Sequence, residues 1–374
     1  MAKKLGFGCM RLPLLNPADQ ASFDKEQLKR MVDTFIERGF TYFDTAWMYH
    51  NFQSEEVLKE VLVNRYPRES YTITSKLPIM MIYTEEKQRE TFQRQLQKVG
   101  VDYFDYYLVH SLNANTYKNA VKLKSFEYLQ QLKAEGKIKH MGISFHDSAE
   151  LLDKILTEHP EIELVQIQLN YVDWDSDSIQ SGKCYEVICK HNKPVVVMEP
   201  IKGGTLINVP EEVKEMFKQS EPDLSVASWA IRFAASQPQV MMVLSGMSSY
   251  EQLDDNTSYM QDFKPLTEEQ IALTRKAAEM INSSIAVPCT ACRYCVKGCP
   301  KKIAIPEYFS LFNSKRRFGK KGFVTEVAYY NNLIQNHGKA SECIECHKCE
   351  KICPQHIKIS EVMKDVAKEF EFLG

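Results

Sequence analysis

Two cysteine runs constrain this chain more than any other feature. Cys289, Cys292, Cys295 and Cys299 are separated by two, two and three residues, and Pro300 follows; Cys343, Cys346, Cys349 and Cys353 repeat the pattern, with Pro354 next. Eight of the 11 cysteines fall in these runs, within the last 86 residues. The N-terminal MAKKLGFGCMRLP lacks the apolar stretch of a secretory leader, so a cytoplasmic location is expected. Disulfides do not persist there, and a dense cysteine block reads as metal binding. No apolar run approaches the roughly 18 residues of a membrane span.

Two-residue spacers let one tight loop aim three thiolates at a point, and an iron–sulfur cubane needs four. The pattern, with its fourth cysteine before proline, is that of bacterial ferredoxins, where the fourth cysteine serves the neighbouring cluster. It implies one 4Fe–4S cluster on Cys289, Cys292, Cys295 and Cys353, and a second on Cys343, Cys346, Cys349 and Cys299. Two zinc sites would leave the fourth Cys-Pro of both runs unexplained. The 43 intervening residues exceed those of a minimal ferredoxin, and 325–335 and 360–371 have helical patterning. This half resembles the α-helical ferredoxin domains of respiratory iron–sulfur subunits. Overall the chain is balanced, 47 Lys+Arg against 49 Asp+Glu, which excludes a strongly basic nucleic-acid binder. Residues 284–374 alone carry 15 basic against 9 acidic side chains, partly offsetting the charge of the clusters. Within them KRRFGKK (315–321) reads as a solvated loop, or as a docking patch for an acidic electron carrier such as ferredoxin or flavodoxin.

Before residue 284 the pattern alternates. Short β-branched or aromatic runs lie at 5–8, 41–44, 71–76, 103–110, 138–143, 164–168, 194–198 and 240–244, separated by helical periodicity at 24–38, 54–65, 84–99, 118–135, 147–157, 178–191, 223–236 and 249–260. Eight strand–helix units predict a (β/α)8 TIM barrel. An open doubly wound sheet is the rival, but its G-x-G-x-x-G loop is absent. Segment 267–283 reads as a closing helix and Ser283–Ser284 as a hinge. The expected fold is α/β: a barrel over 1–283, then a small, mainly α-helical ferredoxin-like domain over 284–374.

Three strands end on polar chemistry: Asp44 with Tyr49 five residues on, Lys76 and His110. Strand C-termini form the reactive face of such a barrel. An acid, a lysine, a tyrosine and a histidine there suit hydride chemistry on a carbonyl. The tyrosine would donate a proton, the Lys–Asp pair would lower its pKa, and the histidine would orient the carbonyl oxygen. In order and spacing these four resemble the tetrad of the aldo-keto reductases, over roughly residues 5–283. The resemblance implies a nicotinamide cofactor, NAD(P)H, and a small-molecule carbonyl substrate. Ser144 stands where the family contacts the carboxamide, although Phe145 replaces the asparagine that usually follows. Gln166 matches the amide-binding glutamine. Ser245, Gly246, Ser248, Gln252 and Asn256 fall in the adenine-end loop. There the family's basic partners of the 2′-phosphate become Gly246 and Gln252, which opens the site to NADH, to weak NADPH binding or to another cofactor; Ser248 and Ser249 remain as hydroxyl donors. Lys202, Gly203 and Gly204 read as a phosphate-binding turn for a nucleotide or a flavin, or as a tight turn with a solvated lysine.

Other residues speak less. Trp47 and Met48 line the mouth or pack; His50 and His146 contact ligand or sit on the surface; Cys9, Cys184 and Cys189 read as packing. A hydride carries two electrons whereas a cubane passes one. The sequence therefore allows a carbonyl oxidoreductase linked to clusters, or an electron-transfer module whose barrel holds a flavin or docks a partner. A redox sensor that binds nicotinamide without turnover is a third reading. The substrate and the oligomeric state are not legible.

Overall fold

A computed structural model describes residues 3–177, 179–283, 286–289, 291–318, 325–353 and 355–371. Eight parallel strands close into a barrel in sequence order: β1 (Leu5–Gly8), β2 (Tyr42–Asp44), β3 (Thr72–Leu77), β4 (Phe104–Leu112), β5 (Ile138–Phe145), β6 (Leu164–Gln168), β7 (Val195–Met198) and β8 (Val240–Ser245), with β8 pairing back to β1. Burial on both faces explains why these strands read as nearly continuous apolar runs. The first outer helix, α1 (Lys25–Glu37), shows the local logic. The Asp24 side chain accepts from the N–H of Gln27, and Leu28, Met31, Val32 and Phe35 bury one face.

Two helical expectations are corrected. The single helix expected at 118–135 is two, α2 (Ala114–Lys122) and α3 (Ser125–Ala134), because Lys124 takes a left-handed conformation (φ 51°) between them. The helix expected at 54–65 runs only over Ser54–Leu58 before widening into a π-helical turn at Lys59–Val63. The sequence reading also missed α4 (Glu211–Ser220), which buries only Val213 and Phe217 and so offers little apolar periodicity.

The C-terminal part gathers its own core around Tyr308, Phe309, Phe312, Tyr330, Val366 and Phe370, from α5 (Ile305–Phe318), α6 (Thr325–Leu333) and α7 (Ile359–Phe370). Ile303 and Gly338 form a bridge at which a Cβ on residue 338 would sit 2.2 Å from the carbonyl oxygen of Lys301, so only glycine fits. Helix α6 lies on the C-terminal mouth of the barrel. Asn332 accepts from Asn113 (3.0 Å) and donates to the backbone oxygen of His146 (3.2 Å). The expected hinge at Ser283–Ser284 and Pro354 lie outside the described side chains. Among the described residues no helix is long and apolar enough to cross a membrane.

Candidate active site and cluster cavities

The strand ends bring Asp44, Lys76, Tyr49 and His110 together. Lys76 Nζ donates to Asp44 Oδ1 (2.6 Å) and to the carbonyl oxygen of Thr45 (2.8 Å), and both side chains are fully buried. Burial pushes each partner toward its neutral form; at this separation the attraction of Asp44 decides, and Lys76 is held protonated. The ammonium lies 5.1 Å from the Tyr49 ring centre, and the Tyr49 and His110 rings meet edge-on at 6.2 Å. The expected lowering of the tyrosine pKa is corrected. Burial raises it, Lys76 opposes this only in part, and the net direction is upward. Tyr49 is thus a protonated O–H at neutral pH. Burial, then the charge of Lys76, holds His110 well below the usual imidazole value, so it is a neutral ring.

The backbone behind Tyr49 is strained. His50, Asn51 and Phe52 all have positive φ (50°, 50° and 70°), a conformation that costs of order 1–3 kcal/mol per residue and that surrounding structure must enforce. His50 supplies that brace. Its Nε2 accepts from the N–H of Leu12 (3.1 Å) and its Nδ1 faces the oxygen of Gln20 (3.3 Å), which makes it a structural ring rather than a ligand contact.

Several expected cofactor contacts are engaged within the protein. Ser144 Oγ accepts from the N–H of Ser111 (2.7 Å), and Gln166 reaches across the barrel to Asp44 Oδ2 (3.1 Å). Ser248 donates to the oxygen of Arg11 (2.9 Å), while Ser249 caps the helix Tyr250–Met260. Asn256 donates to Ser245 Oγ (2.9 Å). Ser245, Gly246, Ser248, Gln252 and Asn256 nevertheless line one cavity of about 260 Å³ with Gly203 and Gly204. The two latter glycines sit at φ 65° and 92°, and a Cβ on residue 204 would meet nothing within 4 Å, so conformation and not crowding selects glycine there. The adenine-end residues and the glycine turn thus share one cavity. Sequence reasoning missed two of its walls, Arg11 and Glu199, which face each other at 3.6 Å; neither belongs to a local motif.

Lys202 is neither a free phosphate partner nor a solvated lysine. It is buried between Asp173 (2.9 Å) and Glu326 of α6 (2.9 Å), an ion cluster that joins barrel to C-terminal domain. Burial alone would raise the Glu326 pKa, but Lys202 and the Ser314 hydroxyl outweigh it and hold it low. A carboxylate with a depressed folded pKa contributes stability above its unfolded value and loses it as pH falls through the folded one. Lys202→Met is therefore expected to destabilise the protein by about 3–5 kcal/mol at pH 7 and to flatten the acid limb of stability against pH, measured by thermal unfolding.

The cysteines separate into two cavities. Cys289, Cys292, Cys295 and Cys353 ring one, and Cys299, Cys343, Cys346 and Cys349 ring the other, so the fourth cysteine of each run crosses to its neighbour. The two loops repeat each other in backbone conformation. Ala291 and Arg293 in the first, and Glu345 and His347 at the same offsets in the second, all have positive φ, as do Lys302 and His356 beyond them. Among the described residues no three metal-binding side chains meet at a single-ion distance. Each set of four instead encloses a void with apolar walls, such as Ile305 and Phe309 or Ile303 and Met363. That arrangement fits a cubane held at its corners. The basic patch expected at 315–321 loses its first member: Lys315 is buried against the backbone oxygen of Glu369 (2.6 Å). Its residues 319–321 lie outside the described set.

Residues 4–279 match the model of the aldo/keto reductase family. The chain belongs to that family. It is an oxidoreductase whose C-terminal residues 288–357 match a 4Fe-4S dicluster domain. Among curated relatives, the uncharacterized oxidoreductase YqkF of Bacillus subtilis is 24% identical over 72% of this chain and 90% of its own length. The NADH-specific methylglyoxal reductase of Escherichia coli is 23% identical over 67% and 88%. Among solved structures, the aldo-keto reductase AKR11C1 of Bacillus halodurans in its holo form superposes with a TM-score of 0.60 at 23% identity, covering 73% of this chain and 91% of that one; at that identity the likeness concerns the fold.

Proposed function

We propose that this protein is an NADH-dependent carbonyl oxidoreductase whose fused domain, residues 284–374, holds two 4Fe–4S clusters. The observation that carries the reading is the buried Asp44–Lys76 pair beneath Tyr49 and His110 at the ends of three strands. When bound, the dihydronicotinamide supplies a hydride to the carbonyl carbon. Tyr49 gives its proton to the carbonyl oxygen, where negative charge develops. Lys76, kept cationic by Asp44, stabilises the phenolate left behind, and the neutral His110 orients the oxygen. A tyrosine with a raised pKa suits the direction of reduction, since it begins protonated.

The preference for NADH rests on the cavity. Gly246 and Gln252 offer no charge to a second phosphate, and the one guanidinium in the lining, Arg11, faces Glu199. The name of the E. coli relative supports the same preference. Fluorescence titration of the holoenzyme is expected to give a Kd for NADH at least about tenfold below that for NADPH; tighter NADPH binding would reverse the assignment. The clusters are one-electron carriers, and the seating of α6 on the mouth through Glu326 and Asn332 supports their linkage to the barrel site. A one-electron carrier protein is the partner that such clusters serve.

A further inference from the structure

The His110 of the tetrad has a second imidazole for a neighbour. His146 directly follows β5, the strand paired with β4, and its N–H donates to the oxygen of Leu112 on β4 (2.9 Å), two residues beyond His110. Among the described residues no protein group hydrogen-bonds either ring, and Nδ1 of each is buried. That leaves Nε2 as the edge a ligand meets. Burial pushes the His146 pKa down to about 4, so both rings are neutral at pH 7 and each offers one donor and one acceptor. Above His146 stands Tyr329 of α6, edge-on at 6.0 Å, while Asn332 holds the His146 backbone from the same helix. A solvated surface histidine would show none of this. A histidine placed only for packing would have a protein partner for its polar edge, as His50 does.

We propose that His146 is a second substrate-binding group. With Tyr49 and His110 on the carbonyl oxygen, His146 holds an oxygen on the adjacent carbon, and Tyr329 closes the pocket from the iron–sulfur domain. The preferred substrates are then uncharged α-hydroxy or α-oxo carbonyl compounds. Lys76 and Lys202 at this mouth are both taken by carboxylates, which disfavours a substrate carboxylate beside them. This assignment rests on the carbonyl reductase reading above.

The test compares hydroxyacetone with 2-butanone, which replaces the hydroxyl by a methyl. Anaerobic holoenzyme is assayed with saturating NADH as wild type, His146→Phe and His146→Gln, with cluster absorbance confirming folding and calorimetry giving the affinity for hydroxyacetone. The wild type is expected to favour hydroxyacetone in kcat/KM by about tenfold, the worth of one hydrogen bond. His146→Phe should collapse that ratio to about twofold or less and weaken the calorimetric affinity in parallel, and His146→Gln should retain part of both. An unchanged ratio in His146→Phe, with both ketones still reduced, overturns the role of His146 and leaves the reductase reading standing. If neither ketone turns over, calorimetry decides: binding by the wild type that is lost in His146→Phe upholds His146 without the reductase reading, and no binding by the wild type overturns it.

Discussion

Tyr49→Phe is expected to lower kcat for carbonyl reduction by about a thousandfold, or about 4 kcal/mol of barrier. The substitution removes one oxygen and leaves the ring that meets His110 edge-on, so the strained backbone braced by His50 stays in place. NADH affinity and cluster absorbance should therefore match the wild type, and the loss should fall on kcat. A variant that retained a tenth or more of the wild-type rate would show that the proton comes from another group.

Removing the crossing cysteines has the second largest expected effect, and it reads out the pairing directly. Cys353→Ala should lower bound iron from about eight to about four atoms per chain, because losing one of four thiolates leaves an iron of the cubane open to water and the cluster labile. The informative step is the double variant. If Cys353 serves the cavity ringed by Cys289, Cys292 and Cys295, adding Cys292→Ala removes nothing further. Adding Cys346→Ala to Cys353→Ala instead empties both sites, since Cys346 belongs to the other ring. The opposite pattern would mean that each run keeps its own fourth cysteine. Iron and sulfide analysis after anaerobic purification separates the two.

Much of this molecule was legible because its signals are local. The strands of the barrel agree with the apolar runs to within a residue or two, as expected where both faces of a parallel sheet are covered. The cysteine spacing carried its own chemistry, and the cavities follow the crossing it implies. What sequence reasoning missed is non-local or depends on burial. Lys202 sits in a glycine-containing turn and so reads as a phosphate partner, yet its partners Asp173 and Glu326 are remote in sequence and one lies in the other domain. Lys124 interrupts a helix through a left-handed conformation that nothing in a lysine announces. The Tyr49 pKa follows enclosure more than the neighbouring charge, and enclosure is a property of the packed barrel. Arg11 and Glu199 meet in the cavity lined by the adenine-end residues only because β1 and β7 end on the same face.

The central claim is that hydride moves directly to the carbonyl carbon in the barrel, with Tyr49 supplying the proton. Single-turnover reaction of anaerobic holoenzyme with 4-deuterated NADH of each face and hydroxyacetone, followed by mass spectrometry of the alcohol, tests it most directly. The expected result is one deuterium on the carbinol carbon from one face of the nicotinamide, with cluster absorbance unchanged during the transfer. Oxidation of NADH with bleaching of the clusters, and an alcohol that carries no deuterium, would contradict it and move the chemistry from the barrel tetrad to the electron-transfer domain.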